Sequence, residues 1–361
     1  MRDLSFKEFL SKYQKVPFEE YPNRVLEAMP TPKVSVVIST YNHAGFIREC
    51  LDGVLMQETD FPFEILIGED ESNDGTREIC IEYARHFPEK IRLFLHRREN
   101  NILIDGQPTG NFQVTTSILG GRAPYIAFCE GDDYWTDPQK LKKQHDLLEQ
   151  NPKFVMSSHQ ATIVDEKGRR KSDGKLPEAL RKTRSGYDLR CGAWVLTLTS
   201  FYRNIFETIP EEFLGVINGD TFLFSVLGKK GGSYFHDDIS NAVYRQHSGG
   251  IWSSKSLQAQ LMFQLKTYSA MIGYHTRTGS DLQTIRSLQN RWVNLQHRRV
   301  FSISIRENPI AFIENLVRTL IFSVRNDQHR LIPLILVRTA STLMSKFVRN
   351  IWKTKKVTLA L

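Results

Sequence analysis

The residues best suited to chemistry lie in three short polar stretches, each following an apolar run. STYN covers residues 39–42, GEDESNDGT covers 68–76 and EGDD covers 130–133. The last places Glu130, Asp132 and Asp133 directly after YIAFC. Carboxylates gathered at one point and taken out of water repel one another and lose hydration, so they need positive charge nearby. Hard divalent cations such as Mg2+ or Mn2+ take carboxylate oxygens, and Mg2+ completes its shell with water and substrate phosphates. The expected chemistry is a metal–diphosphate complex.

These residues can cooperate only if the elements before them run side by side. KVSVVIST, FEILIGED, IRLFLHR and YIAFCEGD read as buried strands. AGFIRECLDGVLMQ, DGTREICIEYARHF, GNFQVTTSILGG and TDPQKLKKQHDLLEQ read as helices, the last with Thr136 or Asp137 as cap and Pro138 in its first turn. The alternation predicts an α/β fold with a mostly parallel central sheet flanked by helices. Its strand ends would share one crevice at the carboxyl edge. After residue 155, VMSSHQATIVD, AWVLTLTSFYR and SYFHDDISNAVYRQH read as strands, NGDTFLFSVLGKKG as a helix, and residues 166–186 as a polar surface excursion.

KVSVVISTYNHAGFIRECLDGVLMQ, FEILIGEDESNDGT and YIAFCEGDDYWTDPQKL, in this order and spacing, resemble family 2 of the nucleotide-sugar-dependent glycosyltransferases, which have the GT-A fold. The resemblance covers about residues 33 to 250. It implies that Ser39, Thr40 and Tyr41 line the nucleotide pocket, Tyr41 near the base. Asp70 would accept a hydrogen bond from the base, and Glu69 stands where the family often has another aspartate. Glu130-x-Asp132 occupies the place of the family's Asp-x-Asp motif. Asp132 and Asp133 are expected on ribose, metal and diphosphate. Asn111, in GNF, is expected to touch the donor. INGDTFLFSVLGKKG matches the helix that begins with the family's acidic dipeptide; Gly219 replaces the first acid, leaving Asp220 as the general base. In VYRQHSGGIWS, Arg245 and His247 suit phosphate or metal.

The implied activity is inverting transfer of a sugar from a nucleotide-diphospho-sugar, UDP being the family's commonest carrier, to a glycan or lipid-linked glycan hydroxyl in surface polysaccharide, capsule or lipopolysaccharide synthesis, with Mn2+ or Mg2+. A second reading, resting on Gly219 and Glu130, is a non-catalytic sugar-nucleotide or glycan-binding protein of the same fold. The loop STYNHAG is not the glycine-rich, Arg-containing loop of a sugar-1-phosphate nucleotidyltransferase, and the first strand lacks the G-x-G-x-x-G of a dinucleotide-dependent dehydrogenase. Taken singly, Asp132, Asp133 and Asp220 could cap helices and Tyr134 and Trp135 could simply pack; the three stretches together favour the site.

The net charge of +8 is unevenly spread. Residues 255–361 carry 17 Lys+Arg against 4 Asp+Glu, whereas the first 254 carry 31 against 36. The expected division is an N-terminal arm (1–32), a GT-A domain (33–254) and a basic helical extension (255–361). Basic amphipathic helices suit an anionic membrane surface, and no nucleic-acid module is present. No signal-peptide core and no run of roughly 18 apolar residues occurs. The four cysteines, Cys50, Cys80, Cys129 and Cys191, match no metal-ligand spacing and read as reduced and buried. The expectation is a cytoplasmic protein, peripheral on the inner face of the membrane.

Overall fold

Val34–Thr40 is β-branched along most of its length and is buried on both faces, as a central parallel strand requires. It is the middle of an eight-stranded sheet. The computed structural model describes residues 1–250, 252 and 255–302, with isolated helical positions at 313, 316, 317, 320, 321, 324 and 332. In chain order the sheet strands are β1 (Glu19–Glu20), β2 (Val34–Thr40), β3 (Phe63–Glu69), β4 (Ile91–Leu95), β5 (Tyr125–Glu130), β6 (Phe154–Ser158), β9 (Phe201–Arg203) and β10 (Gly232–Phe235). Between them, β7 (Ala161–Asp165) and β8 (Arg170–Ser172) join β11 (Ala242–Gln246) in a separate three-stranded sheet. The main order is β10-β6-β9-β5-β2-β3-β4-β1, and β5, β2, β3 and β4 are mutually parallel.

The register aligns the carboxyl ends. Ser39 lies opposite Glu130 on one side and Gly68 on the other, and Thr40 lies opposite Glu69. The chain leaves β2 with sheet neighbours on both sides, which is where open α/β sheets form a crevice.

The helices of eight residues or more among the described residues are α1 (Phe6–Tyr13), α2 (Ile47–Leu55), α3 (Thr76–His86), α4 (Asn111–Gly120), α5 (Lys140–Gln150), α6 (Gly219–Leu227), α7 (Leu257–Arg277) and α8 (Leu282–Ser302). α2 buries Ile47, Cys50, Leu51 and Val54 at helical spacing in the core shared with β2, β3 and β5. Gly53 lets α2 approach the backbone of buried Trp135; a Cβ there would sit 2.8 Å from its carbonyl oxygen. The N-terminal residues join the sheet edge through β1, and Phe9 and Val25 are fully buried. Residues 1–254 form one compact unit and 255–361 a second, to which α7 and α8 belong. Among the described residues no helix is long and apolar enough to cross a membrane. Most of the expected helical extension beyond residue 302 lies outside the described residues.

Three expected strands are shorter than their apolar patterns. The 155–165 run breaks at His159–Gln160. The Gln160 side chain accepts the N–H of Ala161 and of Leu176, both at 2.9 Å, and β7 leaves for the second sheet. The 233–247 run splits into β10 and β11, and of 193–203 only β9 is strand, Thr197–Thr199 being a 3-10 turn. α5 begins at Lys140, without a cap from Thr136 or Asp137. The Asp137 carboxylate instead accepts the N–H groups of Gln139 and Ser240, tying this turn to the β10–β11 connection. The polar excursion contains β8.

Candidate active site

The loop after β5 folds back onto β2. Gly131 donates its N–H to the Ser39 carbonyl at 3.0 Å. Only glycine fits, because a Cβ would lie 2.6 Å from the Thr40 hydroxyl and 3.0 Å from His43 Nδ1. This approach brings Asp132 to two histidines. His247 Nε2 is 3.0 Å from Asp132 Oδ2, and one ligand atom from each of His43, Asp132 and His247 lies within 4.8 Å of the others. His43 is oriented by the Thr40 hydroxyl, 3.2 Å from Nδ1. Burial, with His247 nearby, holds the His43 imidazole below its ordinary range, which keeps it neutral as a metal ligand must be. Burial raises the Asp132 carboxyl, but the His247 hydrogen bond and the electrostatic influence of the His43 ring outweigh it and leave it below the ordinary range. One carboxylate and two imidazoles fit a divalent transition metal; the nitrogens favour Mn2+ over Mg2+.

Asp133 stands outside this trio. It is buried, and its Oδ1 accepts the Arg245 N–H at 2.8 Å, which fastens the EGDD loop to β11. Burial and the charges of Asp132 and Glu130 push its carboxyl well up. Arg245 is equally committed: Nε donates to the Asp132 carbonyl at 3.2 Å, Nη2 pairs with Glu49, and the guanidinium lies over the rings of Phe46 and Tyr134. Both were expected as ligands, and the structure uses both to position Asp132. Glu130 is half-buried, with its buried Oε2 lacking a hydrogen-bond partner, and desolvation followed by Asp132 pushes its carboxyl to about 8.

Beside the β3 end, Asp70 Oδ2 accepts from Arg98 Nη1 and Asn101 Nδ2, each at 2.9 Å. Burial raises the Asp70 carboxyl to about 6 against these donors. The same Arg98 guanidinium lies 3.8 Å from the ring centre of Tyr41, so Tyr41, Arg98 and Asp70 form one patch. Asn42 and Glu71 flank it with positive φ of 54° and 59°, a backbone cost that clusters at functional loops. Glu69, beside Asp70, has other partners. Its carboxylate is fully buried, pairs with Arg77 and accepts the Ser72 N–H at 2.7 Å, so it shapes the loop.

Asp220 lies half-buried in the first turn of α6, where Thr197 Oγ1 donates to its Oδ2 at 2.9 Å and its own Oδ1 accepts the Thr221 N–H at 2.6 Å. The residue before it is glycine for a visible reason: a Cβ on Gly219 would lie 2.7 Å from the Phe213 ring. The Asn111 amide donates to the Val216 carbonyl at 2.7 Å and holds the loop before α6. Asp220 also contributes to the electrostatic environment of Glu130, so base candidate and acidic loop share one region. His43, Arg98, Thr197 and Lys175 were not singled out in the sequence. His43 follows STYN directly, which was a usable signal; the others had none.

A mixed central sheet with parallel β5, β2, β3 and β4, flanked by helices and carrying a carboxylate–imidazole cluster at its strand ends, is the GT-A architecture. Residues 35–206 match the family model Glycosyl transferase family 2. They form a family 2 glycosyltransferase domain. An uncharacterized protein of Mycobacterium tuberculosis, Rv1520, is 35% identical over 223 residues, 61% of each chain. The match thus spans less than two thirds of that relative. TarS of S. aureus in complex with UDP-GlcNAc aligns with a TM-score of 0.55 at 18% identity over 86% of this chain and 88% of that one. A mannosyltransferase of Pyrobaculum calidifontis, PcManGT, in complex with GDP-Man and Mn2+, aligns with a TM-score of 0.51 at 15% identity over 95% and 92%. These likenesses carry the fold.

Proposed function

We propose that this protein is an inverting glycosyltransferase that moves a sugar from a nucleotide-diphospho-sugar to a hydroxyl of a glycan or lipid-linked glycan in surface polysaccharide synthesis. The observation that carries the reading is the meeting of His43, Asp132 and His247 at the carboxyl edge of β2 and β5, in the region that Asp220 also serves. The donor's base would rest on Tyr41 and Asp70, whose carboxylate accepts its N–H. Asp132, His43 and His247 would hold Mn2+ or Mg2+, which when bound offsets the charge gathering on the diphosphate.

Asp220 takes the proton of the acceptor hydroxyl while Thr197 keeps the carboxylate aimed. The acceptor oxygen forms its bond to the anomeric carbon as the bond to the diphosphate oxygen breaks, and that electron pair leaves with the nucleoside diphosphate. One displacement inverts the anomeric centre. TarS with UDP-GlcNAc and PcManGT with GDP-Man support a nucleotide-sugar donor of either base. Residues 255–361, with a net charge of +13, would rest on an anionic membrane surface; flotation with anionic but not neutral liposomes tests this.

Purified protein incubated with a panel of nucleotide sugars and Mn2+ should release nucleoside diphosphate from one of them. Tight nucleotide binding without turnover of any donor or acceptor would instead support a glycan-binding or sugar-nucleotide-binding protein.

A further inference from the structure

Lys175 follows β8, in the excursion that reads as surface loop. Its backbone is fixed: the Lys175 N–H donates to the Ala161 carbonyl at 2.7 Å, and buried Leu176 is bracketed by the Gln160 amide. The side chain turns inward and sets its ammonium against the ring of Tyr244. Tyr244 stands opposite Ile163 in the β7–β11 register. Its neighbour Val243 exchanges two hydrogen bonds with Tyr134, at 2.8 and 3.2 Å, and its other neighbour Arg245 is bound by Asp133. Lys175 therefore abuts the strand from which the EGDD loop is hung.

The ammonium feels Asp133, Glu130, Asp220 and Asp132, yet among the described residues it forms no ion pair with any of them. The cations paired with carboxylates at the strand ends are committed. Arg245 is on Glu49, Arg98 on Asp70, Arg77 on Glu69, and His247 on Asp132. Burial, stronger than the four carboxylates, lowers the Lys175 ammonium to about 8. A half-buried ammonium with three donors and no direct anion suits an incoming phosphate, for which lysine acts as a point charge.

We propose that Lys175 is a phosphate-binding residue of this site and supplies positive charge to the diphosphate of the donor and of the departing nucleotide. This rests on the donor reading above.

The test is calorimetric titration of the full chain, in saturating Mn2+, with UDP and GDP and with uridine and guanosine, for wild type, Lys175→Met and Lys175→Arg. Lys175→Met should weaken the preferred nucleoside diphosphate by about 10- to 100-fold and leave the matching nucleoside unchanged. Lys175→Arg keeps the charge, should recover part of the loss, and serves as the folded reference. Equal affinity in Lys175→Met and wild type, or an equal loss for diphosphate and nucleoside, would overturn the assignment. Failure of wild type to bind either diphosphate would overturn the donor reading itself, which separates the two failures.

Discussion

His247 and Asp132 are 115 residues apart in the chain, and Nε2 of one lies 3.0 Å from Oδ2 of the other. Two strands make the contact. β5 delivers Asp132 and β11 delivers His247, and the Asp133–Arg245 hydrogen bond locks one to the other. Asp132→Asn should therefore lower Mn2+ affinity by about 100-fold or more, read by the metal-dependent rise in melting temperature. Gly131→Ala should lose the same rise although it removes no ligand, because its methyl group would displace Thr40 and His43.

Asp220→Asn should retain Mn2+ and nucleoside diphosphate binding and lose transfer by about 10²- to 10⁴-fold, the usual range for a positioned base. Thr197→Val removes only the group that orients it and should cost less in kcat, with KM for the donor unchanged. Full activity in Asp220→Asn would move the base elsewhere.

Glu130 ionises near 4.5 when exposed and holds its proton to about 8 in the folded chain. Folding therefore takes up a proton between these values, and stability is lost as pH rises from 4.5 to 8. In metal-free protein, Glu130→Gln should raise stability at pH 7 by on the order of 1–3 kcal/mol, with the difference vanishing toward pH 4. Thermal melts at both pH values check the sign.

Asp70 titrates near 6 in the folded chain. As the pH falls through that value its carboxylate gains a proton and loses the acceptor site proposed for the base. Nucleoside affinity should fall with it, and Asp70→Asn should bind about tenfold more weakly with a flat profile from pH 5 to 8. An unchanged pH profile in Asp70→Asn would exclude Asp70 from the base contact.

The strands and helices of residues 33–150 were legible because their apolar periods are long and unbroken, as in β2, β3 and α2. The places of Ser39, Asp70 and Asp132 at the carboxyl ends of strands, and of Asp220 at a helix start, were legible because each adjoins a patterned element. Side-chain direction was not legible. Glu69 and Asp70 are adjacent, yet Glu69 is taken by Arg77 and Asp70 by Arg98 and Asn101. Asp132 and Asp133 are adjacent, yet one meets two histidines and the other a backbone N–H. Successive residues in an extended loop point to opposite sides, and long-range partners choose which side carries the chemistry. The same reason hid Thr197 and Lys175: neither sits in a patterned element, and each meets its partner, Asp220 or Tyr244, only in the folded chain.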